Sequence, residues 1–96
     1  MSDVVAQFVE HLQPKAEGHI QGTAKLVITG EGSVMLDGEG ARAGDDEADV
    51  VLIASDTVFR AILSGDQNPV MAYMSGKLKV EGNAQRALKV SSILTA

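Results

Sequence analysis

The sequence offers few side chains able to do chemistry. Its imidazoles are His11 and His19, eight residues apart, and it has no cysteine. A metal site needs ligands repeated at a helical or hairpin spacing, and neither histidine has a carboxylate so placed. Neither has a base or orienting group beside it in the chain, so both read as surface or capping residues. Asp45, Asp46, Glu47 and Asp49 gather carboxylates without the alternating oxygen ligands, central glycine and terminal bidentate Glu of a calcium loop. A solvated acidic loop is the expectation. Gly38-Glu39-Gly40-Ala41-Arg42-Ala43-Gly44 superficially resembles a dinucleotide fingerprint, but its last glycine comes one place late and no helix starts there. Gly76-Lys77 lacks the spacing and the following Ser or Thr of a phosphate loop. Ser55, Ser64, Ser75, Ser91 and Ser92 all have capping or helical roles open to them, and none sits in a Gly-x-Ser-x-Gly elbow. The expectation is a protein without catalytic residues, metal or cofactor.

Composition narrows the class further. The 96 residues are 45% apolar and 3% aromatic, with 8 basic against 13 acidic side chains for a net charge of −5. An acidic chain without clustered Lys and Arg is not expected to bind nucleic acid, whose affinity comes largely from phosphate contacts. The start, Met1-Ser2-Asp3-Val4, has no basic leader region, and no apolar run approaches the roughly 18 residues of a membrane span. Residues 1–96 therefore read as one small cytoplasmic domain of modest stability.

The elements that must position these residues follow from hydrophobic period. Val5, Phe8, Val9 and Leu12 recur at helical spacing, with Ser2 as N-cap and Pro14 as the stop. Thr23 to Thr29 predicts a strand with Ala24, Leu26 and Ile28 on one face, turning through Gly30-Glu31-Gly32 into a second strand, Ser33 to Asp37. A short edge strand is expected around Ala41 to Ala43. Asp49 to Ala54 is apolar on both alternating sets, which predicts a central strand covered on both faces. Ser55 is placed to cap a helix carrying Val58, Phe59, Ile62 and Leu63 on one side, with Gly65 at its end. Asn68-Pro69 starts a short helix whose apolar side is Val70, Met71 and Met74. Gly76 to Gly82 alternates, with Leu78 and Val80 inward. Asn83 caps a last helix whose apolar or small arc is wider than a sheet-covering helix needs, so the surplus must be buried elsewhere.

Two stretches carry a family likeness. Asp49-Val50-Val51-Leu52-Ile53-Ala54-Ser55-Asp56-Thr57-Val58-Phe59, and then Gly65-Asp66-Gln67-Asn68-Pro69 running on through Gly76-Lys77-Leu78-Lys79-Val80-Glu81-Gly82-Asn83, resemble the sterol carrier protein 2 (SCP-2) lipid-binding domain. The shared features are a strand with a Ser-Asp helix start, a Gly-x-x-x-Pro turn into a short helix, a Gly-Lys-Leu-Lys-Val-x-Gly-Asn segment and an amphipathic last helix. The likeness covers nearly the whole chain, with its weight in residues 49–94.

The resemblance implies an α+β fold, a five-stranded mostly antiparallel sheet covered by about four helices, and an apolar tunnel for a fatty acid, acyl-CoA, sterol or other lipid. It implies no catalysis. By position, the tunnel-wall residues are Phe59, Ile62 and Leu63, then Met71 and Met74, then Leu88 and Leu94. The chain ends Ser92-Ile93-Leu94-Thr95-Ala96 rather than in a Ser-Lys-Leu address, so a compact bacterial member is expected rather than a peroxisomal one. Competing readings are an interaction or dimerisation module built on the last helix, and an accessory domain that presents lipid to a partner enzyme. The chain is expected to be a monomer or a homodimer.

Overall fold

The computed structural model describes residues 3–95, and the expected cap Ser2 lies outside them. The elements run α1 (Asp3–Ala16), β1 (Ala24–Ile28), β2 (Gly32–Asp37), β3 (Gly40–Ala43), β4 (Val50–Ala54), α2 (Asp56–Ser64), α3 (Pro69–Met74), β5 (Lys79–Gly82) and α4 (Ala84–Thr95). One five-stranded sheet has the order β3-β2-β1-β4-β5. β1 pairs antiparallel with β2, β2 with β3 and β4 with β5, while β1 and β4 run parallel. The fold is therefore α+β with a mixed, mostly antiparallel sheet.

Register decides the core. Ala24 stands beside Leu36 and Val50, Leu26 beside Val34 and Leu52, and Ile28 beside Gly32 and Ala54. Residues directly opposite share a sheet face, so this set forms one continuous apolar surface. It merges with Val5, Phe8, Leu12 and Ala16 of α1, Phe59 and Ile62 of α2, Ala72 of α3, and Ala87, Val90 and Leu94 of α4 in one core. All four helices thus bury side chains against the same face. α1 covers β3 and β2, and α4 packs on β4 and β5 and also against each of the other three helices. That packing absorbs the surplus apolar arc of α4.

Two expectations are corrected. Pro14 does not end α1, which continues to Ala16. Proline in a helix forfeits one hydrogen bond and crowds the preceding turn, but Pro14 faces outward while Leu12 and Ala16 are fully buried. The last turn is also pinned from the side: Gln13 Nε2 donates to the Glu39 carbonyl (3.2 Å), and its Oε1 accepts from the Ala41 N–H (2.7 Å). β4 is interior without being the middle strand, and it is not covered equally. Val50, Leu52 and Ala54 are buried, whereas Val51 and Ile53 are only half-buried, because the helices all lie on the other side. β1 holds the centre.

The caps behave as the sequence predicts. Val58 N–H donates to Ser55 Oγ (3.2 Å), and Gly65 closes α2 at φ +87°. Asn68 Oδ1 accepts from the Val70 and Met71 N–H groups at 2.8 and 3.2 Å. Asn83 Oδ1 accepts from the Arg86 N–H at 3.0 Å.

Candidate functional site

α1 and α2 both lean on α4, and a cleft of about 400 Å³ opens between them. Its walls follow from helical period. On α1 the buried stripe leaves Gln7 and His11 one turn apart at the edge of the apolar face. On α2, burial of Phe59 and Ile62 leaves Arg60, Leu63 and Ser64 at the corresponding edge. Phe8 and half-buried Leu63 supply the apolar lining. Behind them Phe8 meets Phe59 edge to face, with ring centroids 6.2 Å apart and planes at 73°, a favourable aromatic geometry.

Arg60 sets the electrostatics. Its guanidinium carbon lies 5.2 Å from the centroid of the Phe8 ring, within the range of cation–π attraction. Its Nη2 donates to Gln7 Oε1 at 2.8 Å. Asp56 stands one helical turn back, with Oδ2 3.8 Å from Arg60 Nε and both side chains well exposed. A solvated pair of that kind contributes about 0–1 kcal/mol. Ser64 Oγ is engaged by the Ala61 carbonyl and by Asp66 Oδ2. The arrangement is an apolar floor beneath a cationic lip.

Two smaller hollows share none of these lining residues. One, of about 260 Å³, is lined by residues including His19, Ile20, Arg86, Lys89 and Ile93, and the other, of about 320 Å³, by Pro14, Lys15, His19 and Ile93. Arg86 there donates to the Gln21 carbonyl (2.9 Å) and lies 3.7 Å from Asp49. Among the described residues no helix is long and apolar enough to cross a membrane.

The seven residues expected along a tunnel do not meet on one surface. Phe59, Ile62 and Leu94 belong to the packed core, and Leu63 packs against that core while lining the cleft. Leu88 is half-buried. Met71 and Met74 are 60% and 76% exposed, so the inward apolar side expected for α3 is corrected: Ala72 is its buried residue. The small Ala72 side chain lets α3 approach α4 closely, and a residue two places on points about 200° around the helix. That turns Met74 away from the core.

The sequence pattern placed Phe8 only on the apolar stripe of the first helix, gave Gln7 and Arg60 no site role, and read His11 as a surface or capping residue. Their signal was faint. Gln7/His11 and Arg60/Ser64 are each polar pairs four apart beside an apolar stripe, but nothing in the chain says that the two stripes face each other.

A family-wide sequence profile, the SCP-2 sterol transfer family, matches residues 7–95. Over 49 residues, about half of this chain, it is 45% identical to hydroxysteroid dehydrogenase-like protein 2 of Bos taurus and 37% identical to sterol carrier protein 2 of Homo sapiens. Those stretches span only 12% and 9% of the two relatives. Among solved structures, sterol carrier protein 2 of Aedes aegypti, determined in complex with the C16 fatty acid palmitate, aligns with a TM-score of 0.75 at 19% identity, covering 98% of this chain and 96% of that one. The sterol carrier protein domain 2 of Helicoverpa armigera aligns with a TM-score of 0.74 at 21% identity, covering 96% and 88%. At such identities the likeness shows a shared fold.

Proposed function

The chain belongs to the SCP-2 sterol transfer family, and from that membership we propose that it is a non-enzymatic binder or carrier of a single-chain lipid. The observation that carries this reading is the cleft between α1 and α2, with Phe8 and Leu63 in its apolar lining and a polar mouth. Its volume falls within the range of about 300–1,000 Å³ typical of small-molecule sites. The acyl chain lies against Leu63 and reaches toward Phe59, Ile62 and Leu94 as α1 and α2 part. Met71 and Met74 contact the ligand outside the cleft, on the way in or out. Burying about 14 methylenes at about 0.8 kcal/mol each supplies about 11 kcal/mol, against association costs of about 4 kcal/mol or more. The balance corresponds to about micromolar affinity or weaker.

Native mass spectrometry of the freshly purified protein tests the reading. An adduct of fatty-acid or phospholipid mass is expected. A lipid-free protein that also takes up no fluorescent acyl probe overturns it.

A second reading, a docking or dimerisation module, is favoured by one observation. Val70, Met71, Tyr73 and Met74, all on α3, are exposed large hydrophobics, and such concentrations commonly mark interaction surfaces. Solution mass discriminates: a lipid-free dimer supports docking, and a monomer that carries lipid supports the first reading.

A further inference from the structure

We propose that Arg60 makes the cleft selective for lipids that end in an anion, so that a single-chain carboxylate binds with its head at the mouth and its chain beneath. The inference deepens the lipid-binding reading and rests on it. An apolar cleft alone selects by length and shape and holds no charge that would favour an anionic head group over a neutral one. Arg60 supplies that charge.

Three features fit the guanidinium to this role. It lies over Phe8, at the boundary between the apolar lining and water, where a head group would sit once the chain is buried. It is held there: Gln7 Oε1 accepts from Nη2 at 2.8 Å, and the ring beneath restrains the head, so less side-chain freedom is lost when an anion arrives. It also keeps capacity. A guanidinium carries five N–H donors; Gln7 takes one, and Asp56 at 3.8 Å is beyond hydrogen-bond distance of Nε.

The competing anions are weakly placed. Asp56 is solvent-exposed and holds Arg60 only loosely, and Asp66 reaches the cleft's rim through Ser64. A carboxylate tethered by a buried chain can displace water from the remaining donors and form the paired, charge-assisted bonds that arginine geometry favours. Hydrogen bonds to a charged group discriminate by on the order of 10- to 100-fold against a ligand that lacks the charge.

The test compares dodecanoic acid with dodecanol as displacers of Nile red from the delipidated full chain at neutral pH. The acid is expected to displace the dye at a concentration about ten-fold or more below the alcohol. In Arg60→Gln the acid-to-alcohol ratio should fall to about one, and Arg60→Lys should restore part of it. Gln7→Glu should also lower the ratio, because it sets a built-in carboxylate against the same guanidinium; thermal melts confirm that each variant is folded. Equal potency of acid and alcohol in the unmodified protein, or a ratio unchanged in folded Arg60→Gln, overturns the anchor and leaves lipid binding standing. Displacement by neither compound overturns both the anchor and the reading on which it rests.

Discussion

Met35 and Leu36 are neighbours on β2 and are both buried, at 1% and 0% exposure, although successive strand residues face opposite sides of the sheet. Leu36 points into the helix-covered core. Met35 points the other way and lies outside that core, so something else must cover it. The cover is the segment after β3: Gly44 N–H donates to the Ser33 carbonyl (3.2 Å), Gly44 abuts the Met35 side chain, and Asp45 accepts from Lys25 Nζ at 2.8 Å. The acidic loop is thus a strap across the second sheet face as well as a solvated segment.

Met35→Ala is therefore expected to cost about 2–5 kcal/mol, the range for a buried methionine, despite its place on the face without helices. Urea denaturation measures this. A loss below about 0.5 kcal/mol would mean that the strap leaves the residue effectively in water.

Gly65 and Gly82 share a positive φ, +87° and +90°, but have very different surroundings. A Cβ at Gly65 would meet nothing within 4 Å, whereas at Gly82 it would lie 2.6 Å from the Asp49 carbonyl oxygen. Gly65→Ala should cost about 1–2 kcal/mol through conformation alone. Gly82→Ala should cost clearly more, because β4 and β5 must also separate, and equal thermal shifts for the two would refute the contact.

Two carboxylates tie the strap side of the sheet to pH. A hydrogen bond from Arg42 (2.6 Å), helped by the Glu39 N–H, holds Asp37 below its ordinary pKa; the bond from Lys25 does the same for Asp45. Each therefore favours the folded state at pH above the unfolded value of about 3.9, and the contribution fades as pH falls through that value toward the lowered one. Melting temperature should drop between pH 5 and pH 3 more in the native sequence than in an Arg42→Gln, Lys25→Gln double variant. Parallel curves would show that neither pair matters to stability.

On α3, exposure predicts tolerance. Met71→Ser and Met74→Ser should each change stability by no more than about 0.5 kcal/mol, as surface substitutions do. Ala72→Leu should be strongly destabilising, since Ala72 is fully buried and added volume there forces α3 off α4. Chemical denaturation of the three variants gives the order directly, and a Met74→Ser loss as large as that of Ala72→Leu would contradict it.

Much of this architecture is legible along the chain because its determinants are local. Ser55, Asn68 and Asn83 cap the helices they precede, Gly65 ends one, and the alternation of Ala24, Leu26 and Ile28 marks the buried strand face. Each signal acts within a few residues, as hydrogen bonds from a cap or a period of two must. The Gly-Lys-Leu-Lys-Val-x-Gly-Asn segment further carries the family likeness in contiguous residues.

What only the tertiary structure decided is which of two apolar faces is covered, and by what. Met71 and Met74 read as inward because they are apolar, yet Ala72 takes the buried position since its size permits close helix approach. Pro14 reads as a stop, yet Gln13 and the burial of Ala16 carry the helix past it. The cleft is of the same kind: Gln7 and Arg60 are 53 residues apart, and no local rule joins them. Their meeting follows from α1 and α2 both resting on α4, a relation set by the packing of the whole sheet and helix layer rather than by any stretch of sequence.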